Sequence, residues 1–159
     1  MQKVSPCLWF DGNAEEAVRF YVSLLPDSRI DAMLPYTVET PGGRPGDLMA
    51  IEFTLAGSTH EALNGGPFFR FTPAISLMVA CDDQAEIDRL WAALLEGGAA
   101  MQCGWLTDRF GVTWQIVPRA LTEMLKDPDK EKVRRMTEAM LTMVKLEIEP
   151  LRRAFEGTG

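Results

Sequence analysis

Few side chains in this chain are equipped for chemistry, and the run QCGWLTDRFGVTWQIVP, residues 102–118, gathers several of them. Cys103 stands beside a glycine, and a thiolate there would be a nucleophile. That role needs a neighbouring base or positive charge to lower the thiol pKa, and no cysteine–histidine pairing is evident, so Cys103 reads as a small buried hydrophobe. Asp11 and Asp108 stand in turns ahead of Gly12 and Gly111, where aspartates stabilise the turn itself. Gln115 lies in a strand between Trp114 and Ile116, so its amide either faces solvent or lines a pocket wall with Thr113 and Val117. His60 is the one histidine, so a site of two histidines and a carboxylate cannot form within one chain. It reads as a surface or structural residue. Glu52 alternates with Ile51 and Phe53 and faces away from them, toward solvent or a dimer seam. Trp9, Trp105 and Trp114 could stack on a planar ligand or fill a core, with Trp105 placed at a pocket mouth.

The elements that must position these residues repeat. Val4–Phe10 reads as a buried strand, followed by a helix capped by Asn13 and Glu16 with apolar Ala17, Phe20, Tyr21, Leu24 and Leu25. Seventy residues later the pattern returns: strand Ala74–Ala80, cap residues Asp83 and Glu86, and a stripe of Ile87, Leu90, Trp91, Leu94 and Leu95. Three strand-like segments follow each helix. These are Ile30–Thr37, Leu48–Leu55 and Thr59–Asn64 in the first unit, and Ala99–Cys103, Gly104–Thr107 and Val112–Val117 in the second. A small sheet with a helix on one face leaves the other uncovered, so two such units are expected to curl around a common hollow. The boundaries expected are residues 1–66 and 73–118 for two βαβββ modules and 119–159 for a helical tail, in one compact α+β domain.

In the tail, KDPD breaks a short helix near Leu121–Leu125, a second carries Val133, Met136, Met140, Leu141 and Val144, and Pro150 begins a third ending at Gly157. Four of the nine methionines fall here, at a helical spacing that fits core or dimer packing better than an adaptable binding surface.

Charge limits the partners. The net charge is −7, and residues 1–118 carry 7 basic against 15 acidic side chains. Nucleic acids and anionic membranes need a basic face, so neither is expected as a partner. Cys7, Cys81 and Cys103 form no CxxC pair and fit reduced thiols of a cytoplasmic protein. No targeting segment or membrane span is expected.

The segments LWFDGNAEEAVRFYVSLLPDS, ALNGGP, AISLMVACDD and CGWLTDRFGVTWQIVP, set on this doubled unit, resemble the vicinal oxygen chelate (glyoxalase and bleomycin-resistance) superfamily. The closer resemblance is to its PhnB-like branch, the 3-demethylubiquinone-9 3-methyltransferase domain family. It extends over residues 3 to about 157 and implies two βαβββ modules forming a curved mixed sheet, in a homodimer. Metal-dependent members of the superfamily place ligands in the first and last strands of each module. On this chain those positions fall at Ser5 or Pro6, Leu63 or Asn64, Ser76, and Gln115, which are poor ligands for metals that favour imidazole and carboxylate.

No catalytic metal or other cofactor is therefore expected. The expected function is binding of a small apolar or aromatic molecule in a sheet pocket walled by Cys7, Trp9 and Asn64 from the first module and Ser76, Met78, Cys103, Trp105 and Gln115 from the second. In the alternative facing, set by the 70-residue offset, Ser76 matches Pro6, and Leu8 and Phe10 turn inward. Gln115 could also serve structure alone, pairing with Asn64 or Ser76. A competing expectation is a lyase or isomerase of glyoxalase or dioxygenase type recruiting a metal through Glu52 and Glu61. Methyl transfer is the weakest: the glycines of TPGGRPGD and NGGP join strands and those of EGGAA follow a helix, so none forms the nucleotide-binding turn of a doubly wound sheet.

Overall fold

The computed structural model of the chain describes residues 2–158 and divides it into two compact units, Met1–Phe71 and Thr72–Gly159. In the first, β1 (Cys7–Phe10) leads into α1 (Ala14–Leu24), then β2 (Arg29–Pro35), β3 (Leu48–Leu55) and β4 (Ser58–Asn64). The sheet order is β1-β4-β3-β2, with β1 and β4 parallel and the other pairs antiparallel. The second unit repeats this plan with β5 (Leu77–Cys81), α2 (Gln84–Leu95), β6 (Ala99–Ala100), β7 (Trp105–Thr107) and β8 (Thr113–Pro118), ordered β5-β8-β7-β6. The doubled βαβββ unit is thus the architecture.

Both leading strands begin later than their apolar runs suggest. Val4 and Ile75 are exposed, because pairing with the neighbouring strand starts only at Cys7 and Leu77. The helices repeat at an offset of 70, but the strands before them repeat at 71. Three residues join Phe10 to Ala14, whereas two join Cys81 to Gln84. In a strand, one residue is a change of face. Leu8 and Phe10 are therefore buried on the side of α1, and Cys7 and Trp9 lie on the opposite, open side, in step with Met78 and Ala80 of β5.

The two helices are capped differently. Asp83 accepts a hydrogen bond from the Glu86 amide at 2.8 Å, and the Glu86 carboxylate accepts from Asp82 N–H at 2.8 Å, close to a capping box. Asn13, the expected cap of α1, makes no side-chain cap bond. Its place is taken from across the unit: Asn64, at the end of β4, accepts from Ala14 N–H through Oδ1 at 2.9 Å and donates through Nδ2 to Leu48 O at 3.1 Å. The Asn64 carbonyl accepts from the Tyr36 hydroxyl. The following glycine leaves room for Trp9, since a Cβ on Gly65 would stand 2.3 Å from the indole, and Trp9 Nε1 donates to Gly66 O at 2.9 Å. The ALNGGP run is therefore the joint that ties β4 to α1, β3 and β1.

Residues beyond β8 form α3 (Arg119–Leu125), α4 (Lys130–Leu141) and α5 (Ile148–Glu156). Asp129 caps α4, and Gly157, at φ 80°, ends α5 in the left-handed conformation that glycine adopts without penalty. Helix α5 starts two residues before Pro150, which sits in the first turn, where its missing N–H is not needed. Met136, Leu146 and Leu151 are fully buried and pack with Val117 and Leu121, and Met124, Met140, Met143 and Phe155 surround them. The methionine stripe is core. Leu141 and Val144, expected on that stripe, are exposed because α4 ends at Leu141 and the chain turns away.

Replacing Asn64 with alanine should destabilise the protein by about 2–3 kcal/mol in denaturant unfolding, the combined effect of a lost cap and a lost buried amide bond. Asn13→Ala should change stability by less than about 0.5 kcal/mol, since its side chain caps nothing.

Candidate functional site

On the open side of the first sheet the register places Cys7 beside Glu61, Glu61 beside Glu52, and Glu52 beside Ala32. A cavity of about 350 Å³ is lined here by Ser5, Arg29, Asp31, Glu52, Phe53, Thr54, Thr59, His60 and Glu61. Arg29 and the Thr54 hydroxyl hold the Asp31 carboxylate, at 2.9 and 2.7 Å. Ser5 and Thr59 share a hydrogen bond at 3.1 Å. Glu52 and Glu61 are different: two like charges directly opposed across strands, which is unfavourable without a compensating cation. The His60 ring stacks on Phe53 and its Nδ1 lies 2.9 Å from Ser58 O, so Nδ1 carries the proton and donates.

Of the expected residues in this unit, Cys7 adjoins the cavity wall through Glu61. Partial burial of its thiol, and then the Glu61 carboxylate, raise its pKa above the ordinary thiol range, which keeps it protonated and disfavours nucleophilic use. Asn64 is buried with its amide spent on Ala14 and Leu48, and Trp9 is half-buried against Gly65 and the Phe69 ring, 4.8 Å away.

In the second unit the register sets Met78, Gln115 and Trp105 side by side on β5, β8 and β7. Gln115 Nε2 donates to Ser76 Oγ at 2.9 Å, the contact the sequence allowed as a structural use of that amide. Met78 is 60% exposed, so this row is open on the β5 side. Thr113, on the same face, is buried, and its hydroxyl has no hydrogen-bond partner among the described residues. Cys103 lies apart from the row in a turn at φ 58°. Cys81 is fully buried, and that burial, followed by Glu86 and Asp82, pushes its thiol up to about 12. Asp108 builds the turn before β8: it accepts from Phe110 N–H and Val112 N–H at 2.9 and 3.0 Å and from Trp114 Nε1 at 2.9 Å. Trp114 is thereby core.

The sheet positions that the resemblance assigned to metal ligands hold serine or proline, leucine or asparagine, serine and glutamine, which are poor ligands for a transition metal. Register corrects one of them: Glu61, beside Cys7, and not Leu63 or Asn64, is the first unit's counterpart of Gln115 beside Met78. Among the described residues no three histidine, cysteine, aspartate or glutamate side chains group to hold a metal ion.

The family model described as 3-demethylubiquinone-9 3-methyltransferase matches residues 2–117. The chain belongs to this family. Within the family, a PhnB protein of Bacillus cereus is 36% identical, and 74% of this chain covers 99% of it with a TM-score of 0.67. A protein from Pseudomonas aeruginosa is 27% identical over 74% of this chain and 98% of its own, with a TM-score of 0.62. The fosfomycin resistance protein FosX from Mesorhizobium loti, at 16% identity, 80% and 100% coverage and a TM-score of 0.55, shares the fold. No curated protein matches. The family match thus ends within β8, short of the residue near 157 to which the resemblance was expected to extend, and α3 to α5 lie beyond it.

Sequence reasoning missed Arg29, Asp31, Thr54 and Thr59 on the cavity wall. The available signal was the alternation of Glu52 and Thr54 with Ile51 and Phe53, and of Thr59 and Glu61 across from them. Because Glu61 helps raise the Cys7 thiol, Glu61→Gln should lower that pKa and speed Cys7 labelling by a thiol reagent at pH 8. The rate is read against pH in a background where Cys81 and Cys103 are serine.

Proposed function

We propose that this PhnB-like protein binds a small organic molecule on the open face of its sheets, without a catalytic metal, as a cytoplasmic homodimer. The observation that carries the reading is the cavity of about 350 Å³ in the first unit, within the range of small-ligand sites. Its Glu52–Glu61 couple, opposed across β3 and β4, favours a ligand that joins a positive charge to an apolar or aromatic body. In the second unit, the row of Met78, Gln115 and Trp105 offers an apolar surface with one amide. The exposed Phe68 and Phe69 of the first unit support a dimer seam.

A second reading, a metal-dependent lyase or isomerase, draws on the same couple, since Glu52 and Glu61 are adjacent carboxylates on a cavity wall. Methyl transfer, which the family description names, has little support: a single glycine, Gly12, lies between β1 and α1, and Asp82-Asp83 between β5 and α2.

A native mass spectrum of protein purified without chelator should give a metal-free dimer, whereas one metal per chain would make the lyase or isomerase reading the leading one. In thermal-shift screening, arylalkylamines, protonated at neutral pH, should stabilise the protein more than their neutral analogues, and Glu61→Gln should abolish the difference. For a ligand so found, loss of Gln115 to alanine should weaken affinity about tenfold, the value of an amide contact on a partly desolvated face. Unchanged affinity would remove Gln115 from the site.

A further inference from the structure

The helices after β8 lie outside the family match, and relatives of the same fold are covered almost whole by 74% of this chain. The fold is complete without them, yet here their connecting segment reaches back to one particular place. Cys103 N–H donates to Met143 O at 2.9 Å, and Gly104 N–H donates to Val144 O at 2.7 Å. Leu146, fully buried, fills the space beside Gly104, where an added Cβ would stand 2.9 Å from its side chain. The turn so gripped is unusual. Cys103 has φ 58° and Gly104 φ 84°, and a left-handed conformation costs a non-glycine residue on the order of 1 kcal/mol unless its surroundings hold it.

The gripping segment is itself held by one side chain of α2. Gln84 Oε1 accepts from Ile148 N–H at 2.8 Å, and Gln84 Nε2 donates to Leu146 O at 3.1 Å, so the amide bonds both sides of the segment as a neighbouring strand would. Asp88, one turn along, also accepts from Gln84 and pairs with Lys145 Nζ at 2.7 Å. On its other side the turn is anchored to β8 by Ile116 N–H donating to Gly104 O at 2.8 Å. The residue that leaves the turn is Trp105, cross-strand neighbour of Gln115.

We propose that residues 143–148 form an intramolecular strap, latched by Gln84, that holds the Gln102–Trp105 turn in its left-handed geometry and so sets how Trp105 is presented beside Gln115. Opening the latch frees the turn while the strands remain paired. The inference concerns the turn and stands apart from whether the open face binds a ligand, because its readout is backbone exchange and not binding.

Amide hydrogen exchange of the full chain, resolved by residue with NMR, tests it. In Gln84→Ala the amides of Cys103 and Gly104 should exchange roughly ten- to thirtyfold faster than in wild type, as expected for loss of two hydrogen bonds of ordinary net strength. Amides of β8 other than Ile116, which is bonded to the turn, and amides of the first unit should stay within about twofold, and the Trp105 indole N–H resonance should shift. Gln84→Glu, which keeps the acceptor for Ile148 but sets a carboxylate oxygen against Leu146 O and the Asp88 carboxylate, should accelerate the same two amides at least as much and serves if the alanine variant fails to fold. Unchanged exchange at Cys103 and Gly104 would overturn the strap. So would uniform acceleration throughout the second unit, which would make Gln84 a contributor to stability alone.

Discussion

The constraint on which the first unit depends is the hydrogen-bonding demand of a helix start with no competent cap of its own. The first N–H groups of α1 have no partner within the helix, and burial at Ala14 leaves no water to supply one. Asn64 meets this demand from the end of β4 and uses its other amide end on β3. One side chain therefore fixes the helix against two strands. Gly65 after it must be small enough to admit Trp9, and Gly42 and Gly43 of the β2–β3 loop must be small enough to admit Tyr36, whose hydroxyl bonds the Asn64 carbonyl. In the second unit Asp83 satisfies the helix locally, and the counterpart of Asn64 by register is Pro118, which has no side-chain amide to lend, while Val117 before it joins the core of the added helices.

This difference explains how far the sequence could be read. Elements set by local periodicity were legible: both helices, the Leu48–Leu55 strand, the order of strands after each helix, and the caps Asp83 and Glu86. Asn13 was misread because an asparagine before an apolar stripe is a cap signal, and the signal cannot report that a residue fifty positions away competes for the same N–H. The facing of β1 was left open by the sequence because the repeat offset differs between strand and helix by one residue. Leu141 and Val144 continued a helical stripe on paper, but α4 stops before the second of them.

The site was legible only in part, for a related reason. Gln115 stood out as an amide in an apolar strand, and its neighbours Met78 and Trp105 follow from register. The cavity of the first unit is assembled from β2, β3, β4 and the segment before β1, and its charge character arises from cross-strand pairing of Glu52 with Glu61. Nothing in the spacing of either glutamate along the chain announces that they are neighbours. Polar residues on a sheet face look the same in sequence whether they meet water, a ligand or each other.

The shorter link between β5 and α2 has a consequence for comparing the two halves of the chain. An ungapped superposition of one half's sequence on the other aligns the helices and puts every residue of the leading strands on the wrong side of the sheet. Leu8 would be matched to Met78, a buried side chain to one that is 60% exposed. A single gap, placed between Phe10 and Ala14, restores the correspondence. Any functional position transferred from one half to the other, or from a relative in which the two links have equal length, must pass through that gap first.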